Sequence, residues 1–276
     1  MIKEAIQNLE LKLIDNNNYE KYEELLSKIK TKDAETYKQT LRYLLSISEH
    51  LNQYSPNEYF FLGGYAVLTH IISDKTEGIM PSWRGSHDVD IVVADINLEN
   101  YIKGGFNNLI PSRKFYHLPH KKVFEFEEET LEKGVHLDFY YPDKPNGEIG
   151  IGHFLIGQDI WQNVEKKSIF GIDVNVPAVR DLLRSKLEIT TSENLPREKD
   201  MDDILSLLYL DQSKGNTPES LYSLLSPFQK DQLIHIIDFK EDNKGISKDR
   251  RLQLNPTNSY LYTFKVLYQE EQDGKH

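Results

Sequence analysis

Two aspartates stand inside the most strand-like run of the chain, Asp88-Val89-Asp90-Ile91-Val92-Val93. Successive side chains of a β-strand point to opposite faces, so Asp88, Asp90 and Val92 share one face and Val89, Ile91 and Val93 the other. Both carboxylates therefore project the same way, about 7 Å apart along the strand. Partly buried like charges repel each other and lose hydration, so this run fits a fold in which one face packs on a core and the other opens toward a cation. The Asp-x-Asp spacing alone is uninformative: with 44 acidic residues in 276, roughly seven such pairs arise by chance. The apolar strand around it carries the weight.

Two further stretches bear on the same chemistry. In "VHLDFYY", residues 135–141, the two-residue period places His136, Asp138 and Tyr140 together, opposite Val135, Leu137, Phe139 and Tyr141. Asp138 is thus a third acid available to join Asp88 and Asp90. Mg²⁺ takes one or two carboxylates and completes its shell with water and substrate phosphates. Three converging carboxylates can hold two such ions, an arrangement suited to in-line phosphoryl displacement. Gly63-Gly64 directly precedes the apolar run "YAVLTHII". Backbone N–H groups at such a helix start can approach a phosphate with no Cβ in the way. Gly104-Gly105 in "YIKGGFNNL" has no such helix or acid pair after it and reads as a plain turn.

The remaining pattern predicts an α+β fold: a mixed sheet with flanking helices, then a helical C-terminal lobe. Residues 1–53 contain neither proline nor glycine and repeat Leu and Ile at helical spacing. "YSPNE" closes that segment, and residues 54–177 form the α/β core. There we expect a strand or turn at 59–62, a helix at 64–72, a strand at 88–93, and strands at 121–126 and 135–141 joined by a reversal. A further short pair is expected at 149–156 and 168–176. The lobe at 178–276 begins with a helix opened by Pro177, followed by one after Pro196 and more helix interrupted at Pro227. "KEDNKGISKDRRLQLNPTN" reads as an exposed loop, and the tyrosine-rich C-terminus as packing.

Composition narrows the function. Without cysteine there is no thiol nucleophile and no Cys-ligated zinc, and His117-x-x-His120 lacks a second ligand pair. No Gly-x-Ser-x-Gly elbow occurs. No apolar run is long enough to span a bilayer and no secretory signal is readable, so a cytoplasmic location without membrane association is expected. A net charge of −11 disfavours a surface that grips nucleic acid throughout, leaving local clusters such as Arg250-Arg251.

These residues resemble the nucleotidyltransferase superfamily, in which a hydrophobic-Gly-Gly/Ser element precedes an apolar helix and a strand bearing Asp-hydrophobic-Asp. Here those elements stand as Leu62-Gly63-Gly64 and Asp88-Val89-Asp90. "RGSHDVDIVV" is similar to the Arg-x-Ser/Thr-x-Asp-hydrophobic-Asp run of the AbiEii-type toxin and antibiotic nucleotidyltransferase branches, with Arg84 and Ser86 in the matching places. Downstream, "DLLRSKLEITTSENLPREKDMDDILSLL" looks like their lysine helix and Arg-x-Lys-Asp-x-x-Asp run, placing Lys186, Arg197, Lys199, Asp200 and Asp203. The 24 positions between Gly64 and Asp88 imply a loop around "SDKTEGIMPSW".

The resemblance implies a nucleotidyltransferase-type sheet and transfer of a nucleoside monophosphate from an NTP held in a cleft between the two lobes. It implies metal binding by Asp88, Asp90 and Asp138 with Mg²⁺ or Mn²⁺, and nucleotide binding by Gly63, Gly64, Arg84, Ser86, Lys186 and Asp203. The acceptor would be tRNA, protein or a small hydroxylated compound, and the toxin branches add an antitoxin partner. A catalytically degenerate binding or regulatory protein of the same fold is the competing expectation.

Overall fold

The computed structural model describes residues 2–15, 17–29, 34–74, 86, 88–106, 109–111, 121–126, 135–141, 149–151, 154–156, 158–189, 198–242 and 256–274. The chain divides into two compact units, one of Met1–Gly150 with Leu155–Ala178 and one of Ile151–Phe154 with Val179–His276.

The first unit opens with helices α1 (Ile2–Asp15), α2 (Tyr19–Lys28) and α3 (Ala34–His50). The strand β1 (Tyr59–Phe61) leads into α4 (Gly63–Ser73), followed by β2 (Asp88–Val93), α5 (Ile96–Gly105), β3 (Leu109–Pro111), β4 (Lys121–Phe126) and β5 (His136–Tyr140). The five strands make one α+β mixed sheet in the order β1-β2-β5-β4-β3. Only β2 and β5 run parallel; the other neighbours are antiparallel. Val89, Ile91, Val92 and Val93 are fully buried, each contributing about 1.5–3 kcal/mol relative to exposure. Asp95 caps α5 by accepting from the N–H groups of Asn97 and Leu98 at 2.8 and 3.2 Å.

Gly104 and Gly105 are the last residues of α5, where a plain turn was expected. A Cβ at Gly105 would run into the His50 ring, which itself stacks on Tyr101 with centroids 4.3 Å apart. Close approach of an aromatic ring, rather than a reversal of the chain, accounts for that glycine.

After β6 (Ile149–Ile151), β7 (Phe154–Ile156) and α6 (Gln158–Gln162), the chain forms a hairpin from β8 (Val164–Ile169) and β9 (Ile172–Pro177). The expected partnership of 149–156 with 168–176 is replaced by this hairpin, because a turn falls inside the second of those runs. Phe170 and Gly171 both have positive φ, 52° and 78°, as a two-residue reversal matched to strand twist requires. Glycine adopts that conformation freely and phenylalanine does not. Phe170 is held there by burial and by an edge-on contact with Tyr22 at 5.9 Å. Pro177 closes β9 opposite Val164 instead of opening a helix, a strand end where its missing N–H costs no ladder bond.

The second unit is helical: α7 (Val179–Ile189), α8 (Glu198–Ser213), α9 (Pro218–Tyr222), α10 (Pro227–Asp242) and α11 (Asn258–Asp273). The break at Pro227 is a reciprocal cap, Gln229 N–H on Ser226 Oγ and Ser226 N–H on Gln229 Oε1. Buried Asp211 ties the unit together, accepting from Arg180 Nε at 2.7 Å and from Tyr260 Oη and Asn216 Nδ2 at 2.8 Å each. The C-terminal tyrosines pack and also donate hydrogen bonds, Tyr260 to Asp211 and Tyr268 to Asp231. Of residues 240–258, expected as an exposed loop, 240–242 are the last residues of α10 and Asn258 is the first of α11, while 243–255 lie outside the described residues.

Candidate active site

The parallel pairing of β2 with β5 aligns Asp88 with His136, Asp90 with Asp138 and Val92 with Tyr140. Register partners on neighbouring strands face the same side, so Asp90 and Asp138 stand side by side, their strands about 4.8 Å apart. Asp88 lies one pleat along on that same face. Asp88 and Asp90 are partly exposed, whereas Asp138 is buried.

Tyr140 shares this face, in register with Val92. Its hydroxyl donates to Asp90 Oδ1 at 3.2 Å. Burial holds that hydroxyl well above the ordinary tyrosine range, and the negative charges of Asp90, Asp138 and Asp88 push it further the same way. One neutral hydroxyl thus feels all three carboxylates. Sequence reasoning placed Tyr140 on the acid face but gave it no part; the alternation in "HLDFY" was the signal.

The glycine bend lies against the same group. Gly63 has φ 63°, in the left-handed region, and a Cβ there would overlap Asp90 Oδ2. Leu62 N–H donates to the Asp90 carbonyl at 2.9 Å, fixing the bend to β2. Gly64 follows in the first turn of α4 and is buried. Asp90 is therefore bounded by the Gly63 backbone at one carboxylate oxygen and by Tyr140 at the other.

Ser86 is buried just before β2, its hydroxyl donating to the Asp88 carbonyl at 2.9 Å and accepting the Asp88 N–H at 3.3 Å. Its polar atom is spent on the strand's own backbone. Arg84 and Arg197 lie outside the described residues.

In the helical unit, Lys186 of α7 is buried, and its ammonium contacts Asp200 Oδ1 at 3.3 Å and Asp203 Oδ2 at 2.8 Å, both on α8. Lys186 and Asp203, each expected to meet nucleotide, here meet each other.

Among the described residues, no group of three or more His, Asp or Glu side chains is gathered closely enough to enclose a metal ion. The donor set on the sheet is instead an edge of paired carboxylates. That fits an ion held by one or two carboxylates and completed by water and phosphate oxygens, as Mg²⁺ prefers. Among the described residues, no helix is long and apolar enough to cross a membrane.

No family model and no curated protein matches the chain. Several solved structures overlap it, among them two that each cover most of this chain. One is an antigenic nucleotidyltransferase-like protein from Paracoccidioides brasiliensis, 16% identical, covering 79% of this chain and 96% of its own, with a TM-score of 0.44. The other is the antibiotic-resistance factor ANT(2'')-Ia, 10% identical, covering 75% of this chain and 96% of its own, with a TM-score of 0.42. At these scores the matches record a partial likeness in chain path and decide nothing about chemistry.

Proposed function

We propose that this chain is a nucleotidyltransferase, moving a nucleoside monophosphate from an NTP to an acceptor hydroxyl. One observation carries the reading: Asp90 and Asp138 sit in parallel register, with Asp88 on the same face, against a glycine bend that opens a helix. The motif resemblance of Leu62-Gly63-Gly64 and Asp88-Val89-Asp90 supports it from the sequence side.

Asp88, Asp90 and Asp138 would hold Mg²⁺ or Mn²⁺, which when bound offsets charge on the attacking and departing oxygens. The backbone at Gly63 and Gly64 would approach the triphosphate at the start of α4, where N–H groups point outward. Asp138 would take the proton from the acceptor hydroxyl as its oxygen bonds the α-phosphorus; the bond to the bridging oxygen breaks and its electron pair leaves with pyrophosphate. Ser86 would keep β2 in register at Asp88, and Arg84 would neutralise phosphate. For Lys186 and Asp203 to serve the nucleotide, they would exchange their mutual ion pair for contacts with it. The acceptor classes are tRNA, protein and a small hydroxylated compound. An acidic chain disfavours a long nucleic-acid footprint. A toxin role with an antitoxin partner belongs to the same proposal.

Calorimetric titration with ATP, CTP, GTP and UTP, with and without Mg²⁺, tests the reading. Metal-dependent binding that disappears in Asp88→Asn and Asp90→Asn supports the enzyme. Binding that ignores the metal, or no binding at all, sinks it in favour of a scaffold. Labelled NTPs incubated with RNA, protein and aminoglycoside-type compounds then name the acceptor.

A further inference from the structure

Asp90 is the acid on which the site's contacts converge. Its backbone carbonyl accepts from Leu62 N–H at 2.9 Å, its Oδ2 rests where a Cβ of Gly63 would be, and its Oδ1 accepts from Tyr140 Oη at 3.2 Å. Asp138 stands beside it in register, so an Asp90 carboxylate free to rotate would trade one orientation for another at the edge the two acids share. Tyr140 is only 7% exposed and sits two residues beyond Asp138 on β5, on the acid face. Burying a hydroxyl there is costly unless it is bonded, and its described bond goes to Asp90.

We propose that Tyr140 is a positioning residue: its hydroxyl fixes the rotation of the Asp90 carboxylate so that Asp90 and Asp138 present their oxygens together to a divalent cation. This rests on the nucleotidyltransferase reading above. Tyr140 touches neither phosphate nor the acceptor and acts through Asp90. Groups that orient a metal-holding carboxylate are worth about 10–100-fold in metal affinity or activity.

The test is Mn²⁺ titration, followed by electron paramagnetic resonance, into the full chain with a mixture of α,β-methylene ATP, CTP, GTP and UTP. Tyr140→Phe keeps the ring and removes only the donor. Its Mn²⁺ affinity is expected to fall about tenfold or more, with kcat lowered and the KM for NTP unchanged. Tyr22→Phe, which also removes a buried hydroxyl from this unit, is expected to bind Mn²⁺ as the wild type does. Equal Mn²⁺ affinity in wild type and Tyr140→Phe overturns the positioning role while leaving the function intact. Absence of Mn²⁺ binding in the wild type overturns the function itself. If Tyr140→Phe does not fold, the same change is made in an Asp90→Ala background and read by urea unfolding. A role exercised through Asp90 predicts no further loss of stability there, and an additive loss overturns the proposal.

Discussion

Two acidic clusters in this chain solve the same problem in opposite ways. In the helical unit, Asp200 and Asp203 share the ammonium of Lys186, all three buried within the α7–α8 packing. On the sheet, Asp90 and Asp138 share a register position, and their described common neighbour is the neutral hydroxyl of Tyr140. The first cluster carries its counter-charge within the fold and reads as architecture. The second places like charges beside one another at an edge that is still partly exposed, an arrangement that suits an incoming cation. Acid count does not separate the two; exposure does, since Asp200 and Asp203 are both buried while Asp88 and Asp90 remain partly exposed.

Substitution should act on different observables in the two places. The largest effect expected is on turnover: Asp138→Asn should lower kcat by about 10²–10⁴-fold, as loss of a positioned proton acceptor does, with no loss in thermal midpoint. A fall in midpoint without loss of turnover would make the sheet acids architectural too. Next, Lys186→Met should cost about 3–5 kcal/mol in urea unfolding, because it removes the buried ammonium that lies against two buried carboxylates. Wild-type stability with nucleotide binding abolished would instead show that the lysine serves the ligand. Gly63→Ala should cost about 1–3 kcal/mol through backbone strain and should also weaken nucleotide binding by displacing Asp90, effects read by unfolding and calorimetry.

The smallest effect is one of pH. Burial, then the charge of Asp211 and the hydrogen bond to it, raise Tyr260 above its ordinary value of 10.0. The folded state then keeps a proton that the unfolded chain has lost, so the stability Tyr260 contributes is complete below pH 10 and declines as pH rises toward its folded value. Tyr260→Phe should flatten that alkaline decline in urea unfolding followed across pH.

Period-two alternation made much of the sheet legible, since the shared side of Asp88 and Asp90, and that of His136, Asp138 and Tyr140, follow from strand geometry alone. The alignment of Asp90 with Asp138 does not follow, because parallel pairing joins residues 48 positions apart and is settled by packing. Nor does the contact between Gly63 and Asp90, which depends on how α4 leaves β1. Lys186, Asp200 and Asp203 were each visible as charged helix residues; that they satisfy one another is a property of two helices packed together. The β8–β9 hairpin was hidden because its first turn residue is phenylalanine, whose left-handed backbone is sustained by burial against Tyr22 and not by local preference.

The helix that starts at the glycine bend is also fastened at its far end. His70 Nε2 lies 2.7 Å from the carbonyl of Pro177, the final residue of the hairpin, and Asp74 meets Lys167 of the hairpin's other strand at 2.7 Å. Helix α4 is thereby a strut, pinned to the hairpin at one end and to the carboxylate edge at the other. The placement of Asp90 is thus tied, through the backbone of one helix, to a hairpin that contributes none of the site's acidic side chains.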